Sequence, residues 1–271
     1  MSISPQILGL IAGNGKFPIL LAQKVKSQNI KIIAVGIRGD TSFLLRGFVD
    51  GLLWLAPGEL KRLSEYFKKE GVQKVVMAGQ VNPQNLFDEK LRLDEELQKI
   101  FADLPDRKTD TIFAAVASHL KSEGLELLDS TYFLADYLAP PGTLTRRGPT
   151  VKELEDIEFG RGISRAMGAL DVGQTVVVKD KAIVAIEAME GTDRTILRGG
   201  RIAREGAVVV KMSKPKQDLR FDVPVVGPVT IQTMMKVKAS SLAVEAQKTI
   251  LIDQEKMVRL AEKARICIVA G

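Results

Sequence analysis

Short apolar runs dominate the first half of the chain. Ile7–Ala12, Lys31–Val35, Leu52–Leu55, Lys74–Ala78 and Leu125–Leu128 have the length and texture of strands covered on both faces. Helical patterns separate them. Gly13-Asn14-Gly15 breaks the first run, Pro18 sits where a first helical turn tolerates it, and Ile19–Ser27 continues helically. Pro57-Gly58 opens a helix over Glu59–Glu70, and two more are expected near Asp88–Ala102 and Thr109–Glu123. Strands alternating with helices predict βαβ units, a parallel sheet and a Rossmann-like domain over residues 1–137.

The pattern changes after a Pro- and Gly-rich stretch, Leu138–Pro149, which reads as an interdomain linker at 138–148. Beyond it, Thr150–Leu170 reads as a helix capped by Thr150. Thr175–Lys179 and Ala182–Ala188 read as a hairpin about Asp180-Lys181. Ala207–Met212, Asp218–Asp222 and Thr249–Ile252 read as strands, Val229–Val237 and Asp253–Arg265 as helices, and Ile266–Ala270 as a closing strand. The expected class is therefore α/β, with the Rossmann-like parallel-sheet domain followed by a smaller α+β domain at 149–271.

Composition narrows the chemistry. At 271 residues the chain suits two domains, and 45% hydrophobic with 27% charged residues is an ordinary globular balance. One cysteine, Cys267, excludes an internal disulfide, and one histidine, His119, excludes zinc sites built on several imidazoles. Catalysis would therefore rest on carboxylates, amines, hydroxyls and backbone. A net charge of +6 suits an anionic ligand or membrane surface, and 5% aromatic content argues against a nucleic-acid base-stacking platform. No window holds the 18 or so apolar residues of a spanning helix, and the N-terminus lacks a basic leader region. The expectation is a cytoplasmic protein.

Three stretches carry candidate chemistry. Gly13-Asn14-Gly15 joins strand to helix, where backbone N–H groups can approach a phosphate, and Gly79-Gln80 ends another strand on the same carboxyl edge. The turn departs from both common fingerprints. Pro18 replaces the third Gly of the dinucleotide motif, Gly9 stands one position too early for a P-loop, and Phe17 replaces its Ser/Thr. Read as extended chain, Lys211–Pro224 places Asp218, Arg220 and Asp222 on one face. They make a phosphate site with carboxylates for a divalent ion, helped by Lys211 and Lys214, or simply a solvated face. Glu187 lies in an apolar run, so it is paired, protonated, metal-bound or at a wet strand edge, and Gly191-Thr192-Asp193 follows as a phosphate- or sugar-binding loop. His119 and Cys267 read as structural residues.

The motifs Gly9-Leu-Ile-Ala-Gly13-x-Gly15-x-Phe17-Pro18, Gly79-Gln80-Val81, Gly142-x-Leu144-Thr145, Asp171-Val-Gly173-Gln174, Glu187-Ala-x-Glu190-Gly191-Thr192-Asp193 and Lys214-Pro-x-Gln217-Asp218-x-Arg220-Phe221-Asp222-x-Pro224 occur in this order. In them the chain resembles the LpxI-type UDP-2,3-diacylglucosamine pyrophosphatases of lipid A biosynthesis. The resemblance implies hydrolysis of that lipid-linked sugar nucleotide to UMP and 2,3-diacylglucosamine 1-phosphate, by water attack on the α-phosphorus. It implies Mg²⁺ or another divalent metal, and a Gram-negative cytoplasmic enzyme in transient contact with the inner membrane.

Carried over by the same motifs, Asp222 matches the family's essential aspartate. Asp218, Arg220, Lys214, Lys211 and Gln217 join it as catalytic candidates, and Asp218 and Glu187 join it as metal candidates. Gly13, Asn14, Gly15, Phe17, Gly79, Gln80, Thr145, Gly191, Thr192 and Asp193 are substrate-binding candidates, and a lipid groove is expected in the second domain. A homodimer is the base-rate expectation. A nicotinamide-dependent oxidoreductase, with Asp40 as its weak ribose acid, and a non-catalytic sugar-nucleotide or lipid-binding protein stand as alternatives.

Overall fold

The computed structural model describes residues 6–81 and 91–271, in two compact units. The first is Met1–Leu134 with Asp218–Phe221, and the second is Ala135–Gln217 with Asp222–Gly271. The expected helix start at Asp88 lies outside the described residues.

In the first unit, β1 (Ile7–Ala12), β2 (Lys31–Ile37), β3 (Gly51–Leu55), β4 (Lys74–Ala78) and β5 (Glu126–Leu127) form a parallel sheet in the order β3-β2-β1-β4-β5. The order reverses between β1 and β4, the switch point of a doubly wound sheet. The crossovers carry α1 (Phe17–Lys26), α2 (Leu60–Lys69), α3 (Glu95–Asp103) and α4 (Thr109–Ser122). Asp94 caps α3 by accepting from the Leu97 N–H, and His119 of α4 meets Glu96 at 2.9 Å. Val35, Phe67, Val75 and Leu120 are fully enclosed between sheet and helices.

The second unit holds a six-stranded mixed sheet. Its strands are β6 (Gly142–Thr143), β7 (Thr175–Lys179), β8 (Ala182–Ile186), β9 (Val208–Lys211), β11 (Ser241–Val244) and β13 (Cys267–Ala270), in the order β6-β13-β11-β9-β7-β8. A separate pair joins β10 (Val225–Val226) to β12 (Ile250–Leu251). Four helices accompany them: α5 (Val151–Ala169), α6 (Thr192–Ala203), α7 (Pro228–Lys236) and α8 (Gln254–Lys263). The β7–β8 hairpin turns on Asp180 and Lys181, both in the left-handed region, and the buried Asp156 carboxylate accepts both their N–H groups. Cys267 is fully buried, and burial pushes its thiol up.

Several expectations need correction. Asp218–Asp222 is a turn and not a strand. The Asp218 carboxylate accepts the Arg220 N–H at 3.1 Å and the Phe221 N–H bonds back to the Asp218 carbonyl, so local bonds replace a ladder. The stretch 138–148 is not free linker. Gly142–Thr143 pairs with β13, and the Arg147 fork grips Glu153 at 2.7 and 2.9 Å. Thr192 and Asp193 belong to a helix and not to a loop. Its Gly199 and Gly200 look like breakers, yet added Cβ atoms would stand 2.7 Å from Val177 and 2.3 Å from Val237. Close packing overrides poor propensity there. The central strand β11 gives no alternating signal because all four of its residues are buried.

Candidate functional site

At the switch point of the first sheet the two glycine turns face each other. Gly13 N–H donates to the Ala78 carbonyl at 2.8 Å, Asn14 N–H to the Gln80 carbonyl at 2.7 Å, and Gly15 N–H to its neighbour Asn14 Oδ1 at 2.6 Å. A Cβ at Gly13 would meet the Gln80 oxygen at 2.6 Å, and one at Gly79, whose φ is +87°, would meet the Asn14 oxygen at 2.4 Å. Two of the three backbone donors expected to face a phosphate are thus spent in locking the end of β1 to the end of β4, and the third is taken by the neighbouring Asn14 side chain. Asn14 and Gln80 keep exposed side chains there and the Gly15 backbone is exposed, whereas Phe17 is buried.

In the second unit the ionisable residues gather at one edge of the sheet, because β7 runs antiparallel to β9 and pairs Thr175 with Lys211. Gln174 precedes β7, Glu187 follows β8, and Lys211 ends β9. Two polar groups form there. In one, Gln174 Nε2 donates to both Asp222 oxygens, at 2.9 and 2.7 Å. The largely buried Lys214 ammonium stands 3.1 Å from Asp222 and 2.5 Å from Asp171. Gln217 staples this loop, accepting the Lys214 N–H at 2.6 Å and donating to the Asp222 carbonyl.

In the other group Lys211 Nζ donates to Thr192 Oγ1 at 2.8 Å, and Thr192 donates to Glu187 Oε1 at 2.9 Å. Burial pushes the half-buried Asp193 carboxyl up, against the pull of Lys211. Glu187 Oε2 and Gln174 Oε1 are buried acceptors without a hydrogen-bond partner. These are the atoms of the site left to bond an incoming donor.

Asp218 and Arg220 belong to the first unit and pair with each other, at 2.6 to 3.2 Å. The Arg220 guanidinium holds the Asp218 carboxyl below its usual range. Ser130 anchors this turn: its N–H reaches the Leu219 carbonyl, and its hydroxyl lies 2.8 Å from the Arg220 carbonyl and 2.6 Å from that of Met77. The shared face expected for Asp218, Arg220 and Asp222 therefore does not exist. Thr145 is also spent internally, donating to the Arg147 carbonyl and accepting from the Ile268 N–H.

The donor set does not fit a resident divalent ion. Asp222 already takes an amide and an ammonium, Asp218 takes a guanidinium, and Glu187 takes a hydroxyl. Among the described residues no group of three or more His, Cys, Asp or Glu is placed to hold a metal. Gln174, Asp171 and Ser130 were not among the sequence candidates. Only the Asp171-Val-Gly173-Gln174 motif pointed to the first two, and nothing marked Ser130.

A doubly wound sheet followed by a mixed-sheet unit, with Lys and carboxylate groups assembled at one end of the second sheet, defines a two-unit α/β protein. The chain belongs to the LpxI family: the LpxI N-terminal domain matches residues 7–137 and the LpxI C-terminal domain residues 140–269. A curated relative from Caulobacter vibrioides, named UDP-2,3-diacylglucosamine pyrophosphatase LpxI, is 28% identical over 94% of each chain. Among solved structures, a multifunctional pyruvate carboxylase from Rhizobium etli shares 12% identity over 55% of this chain and 15% of its own, with a TM-score of 0.27. A biotin carboxylase domain from Hydrogenobacter thermophilus shares 11% over 73% of this chain and 40% of its own, also at 0.27. At those scores neither bears on fold or function. No helix among the described residues is long and apolar enough to cross a membrane.

Proposed function

We propose that the protein hydrolyses UDP-2,3-diacylglucosamine to UMP and 2,3-diacylglucosamine 1-phosphate, with water attacking the α-phosphorus. The observation that carries this reading is the fixed Asp222 carboxylate, clamped by Gln174 and neutralised in part by Lys214. Family membership and the Caulobacter relative's name supply the substrate. A carboxylate held this way orients a water and takes its proton as the oxygen bonds to phosphorus. The P–O bond to the sugar 1-phosphate breaks, and that phosphate leaves with the electron pair. Lys214 and Lys211 stabilise the charge that develops on the diphosphate. Glu187, Thr192 and Asp193 accept hydrogen bonds from the nucleotide or sugar hydroxyls. The lipid substrate brings the protein into transient contact with the inner membrane surface.

The test is UMP release from UDP-2,3-diacylglucosamine by the native protein and by Asp222→Asn. The substitution keeps the side-chain shape but removes the base. It lowers turnover by about 10²- to 10⁴-fold, with melting temperature and circular dichroism unchanged. Near-native turnover by the variant contradicts the assignment.

A further inference from the structure

Phe43 and Leu44 are neighbours in the chain and stand 82% and 71% exposed, Phe43 more than any other large hydrophobic residue described. They begin a 3₁₀ helix, Phe43–Phe48, in the crossover from β2 to β3 of the first unit. The local structure holds them outward. Ser42 caps the helix, its hydroxyl accepting the Leu44 N–H at 3.3 Å, and the next residue, Leu45, is wholly buried and anchors it. The buried Thr41 ties the preceding turn to the sheet: its hydroxyl accepts the Ile37 N–H at 2.8 Å and donates to the Ala12 carbonyl. The Phe43 ring leans on the partly exposed Trp54, at 4.9 Å between centroids. That indole is itself seated on Gly36, where an added Cβ would meet it at 2.8 Å.

Cations flank this apolar tip. Residues three apart eclipse one another on a 3₁₀ helix, so Arg46 shares the Phe43 face. Arg38 follows β2 and Lys16 lies in the turn after β1, both exposed at the same carboxyl edge of the sheet. Glu59 pairs with Arg62 and Asp50 with Lys26, so the local balance, Asp40 against Lys16, Arg38 and Arg46, is positive.

Two exposed apolar side chains beside a half-covered indole present a few hundred square ångströms, short of the roughly 800 Å² per partner that a stable protein interface buries. A second copy of the chain is therefore a poor occupant. An anionic bilayer suits every part of the patch. Phe and Leu enter the boundary between headgroups and acyl chains, an indole stays at headgroup level, and the cations meet the phosphates.

We propose that the Phe43–Leu44 tip docks the first unit on an anionic phospholipid surface. The proposal deepens the membrane contact of the proposed function and rests on that reading only for the need of a membrane.

The test is co-sedimentation of the full-length protein with vesicles of phosphatidylcholine, and of equal parts phosphatidylcholine and phosphatidylglycerol, without substrate. UMP release from UDP-2,3-diacylglucosamine in detergent micelles is followed separately. The native protein binds the mixed vesicles. The double variant Phe43→Ser with Leu44→Ser, changed only at exposed positions, binds them at least tenfold more weakly and keeps native UMP release in detergent. Arg46→Glu weakens binding to the mixed vesicles about fivefold or more and to phosphatidylcholine little. Equal binding by native and double variant, or no binding by the native protein, overturns the proposal whatever UMP release shows. So does a native dimer that the double variant splits in sedimentation velocity, which assigns the patch to a second copy. Loss of UMP release by the double variant in detergent places the two residues on the substrate and overturns it as well. Vesicle binding that depends on Phe43 and Leu44 in a protein that releases no UMP supports the docking and removes the activity.

Discussion

Gln174 holds Asp222 by both carboxylate oxygens, its Nε2 lying 2.9 Å from Oδ1 and 2.7 Å from Oδ2. The amide leads into the first residue of β7 and the acid follows the Asp218–Phe221 turn, so two separate stretches of chain converge on one bond pair. Gln174 acts through Asp222 and is a positioning residue. Gln174→Met keeps the length and removes the donor. A hydrogen bond to a charged group contributes about 1.5–3 kcal/mol, so kcat falls about 10- to 100-fold. Because the acid itself stays, KM changes little, and Gln174→Asn restores less than half of the loss. Steady-state kinetics on the three proteins check this. A rise in KM with kcat unchanged contradicts the positioning role.

Glu153 makes stability depend on acid. Burial pushes its carboxyl up, but the Arg147 guanidinium and the Thr150 N–H more than offset this and hold it at about 2, against an ordinary 4.5. A depressed carboxylate contributes its full stabilisation above its unfolded value and loses it as pH falls from about 4.5 toward 2. Between pH 7 and pH 3 the native protein should therefore lose about 2 kcal/mol through this residue. Glu153→Gln is less stable than the native protein at pH 7, and the gap narrows by about that amount at pH 3. Urea unfolding at the two pH values measures it.

Gly200 sits where α6 touches Val237 at the end of α7. A Cβ there would lie 2.3 Å from the Val237 Cβ, a contact that flexible side-chain motion cannot relieve. Gly200→Ala improves helix propensity by about 1 kcal/mol and still destabilises by about 1–3 kcal/mol through overpacking. Gly162, on α5 with nothing within 4 Å, is the control. Gly162→Ala stabilises by up to about 1 kcal/mol. Thermal unfolding of the pair separates propensity from packing.

With its carboxylates already paired, the free protein has little to offer a divalent ion. We propose that Mg²⁺ joins only with a diphosphate, whose oxygens complete its coordination. Calorimetric titration of Mg²⁺ into the protein alone gives no saturable heat at micromolar concentrations, whereas titration in the presence of UDP does. Tight binding to the free protein contradicts this.

The first unit was legible because parallel strands covered on both faces leave unbroken apolar runs, such as Ile7–Ala12 and Lys74–Ala78, between helical stretches. The second was harder where tertiary contact overrules local signal. Gly199-Gly200 reads as a break until Val177 and Val237 are seen against it. Ser241–Val244 is too short and too fully buried to alternate.

The site was legible in residue types but not in grouping. Asp222, Lys211, Lys214 and Gln217 stand out in the sequence. That Arg220 satisfies Asp218, and that Gln174 reaches Asp222 across 48 positions, depends on a turn that alternation had rendered as a strand. The glycine turn showed its shape but not its use: the Gly13 and Asn14 donors bond to β4 and Gln80, which no local pattern encodes.

The measurement that bears most directly on the account is hydrolysis of UDP-2,3-diacylglucosamine in ¹⁸O-water by the purified protein, with the label located by mass spectrometry. The account predicts ¹⁸O in UMP, from attack at the α-phosphorus. Label in the 2,3-diacylglucosamine 1-phosphate, or no hydrolysis with or without Mg²⁺, would contradict it.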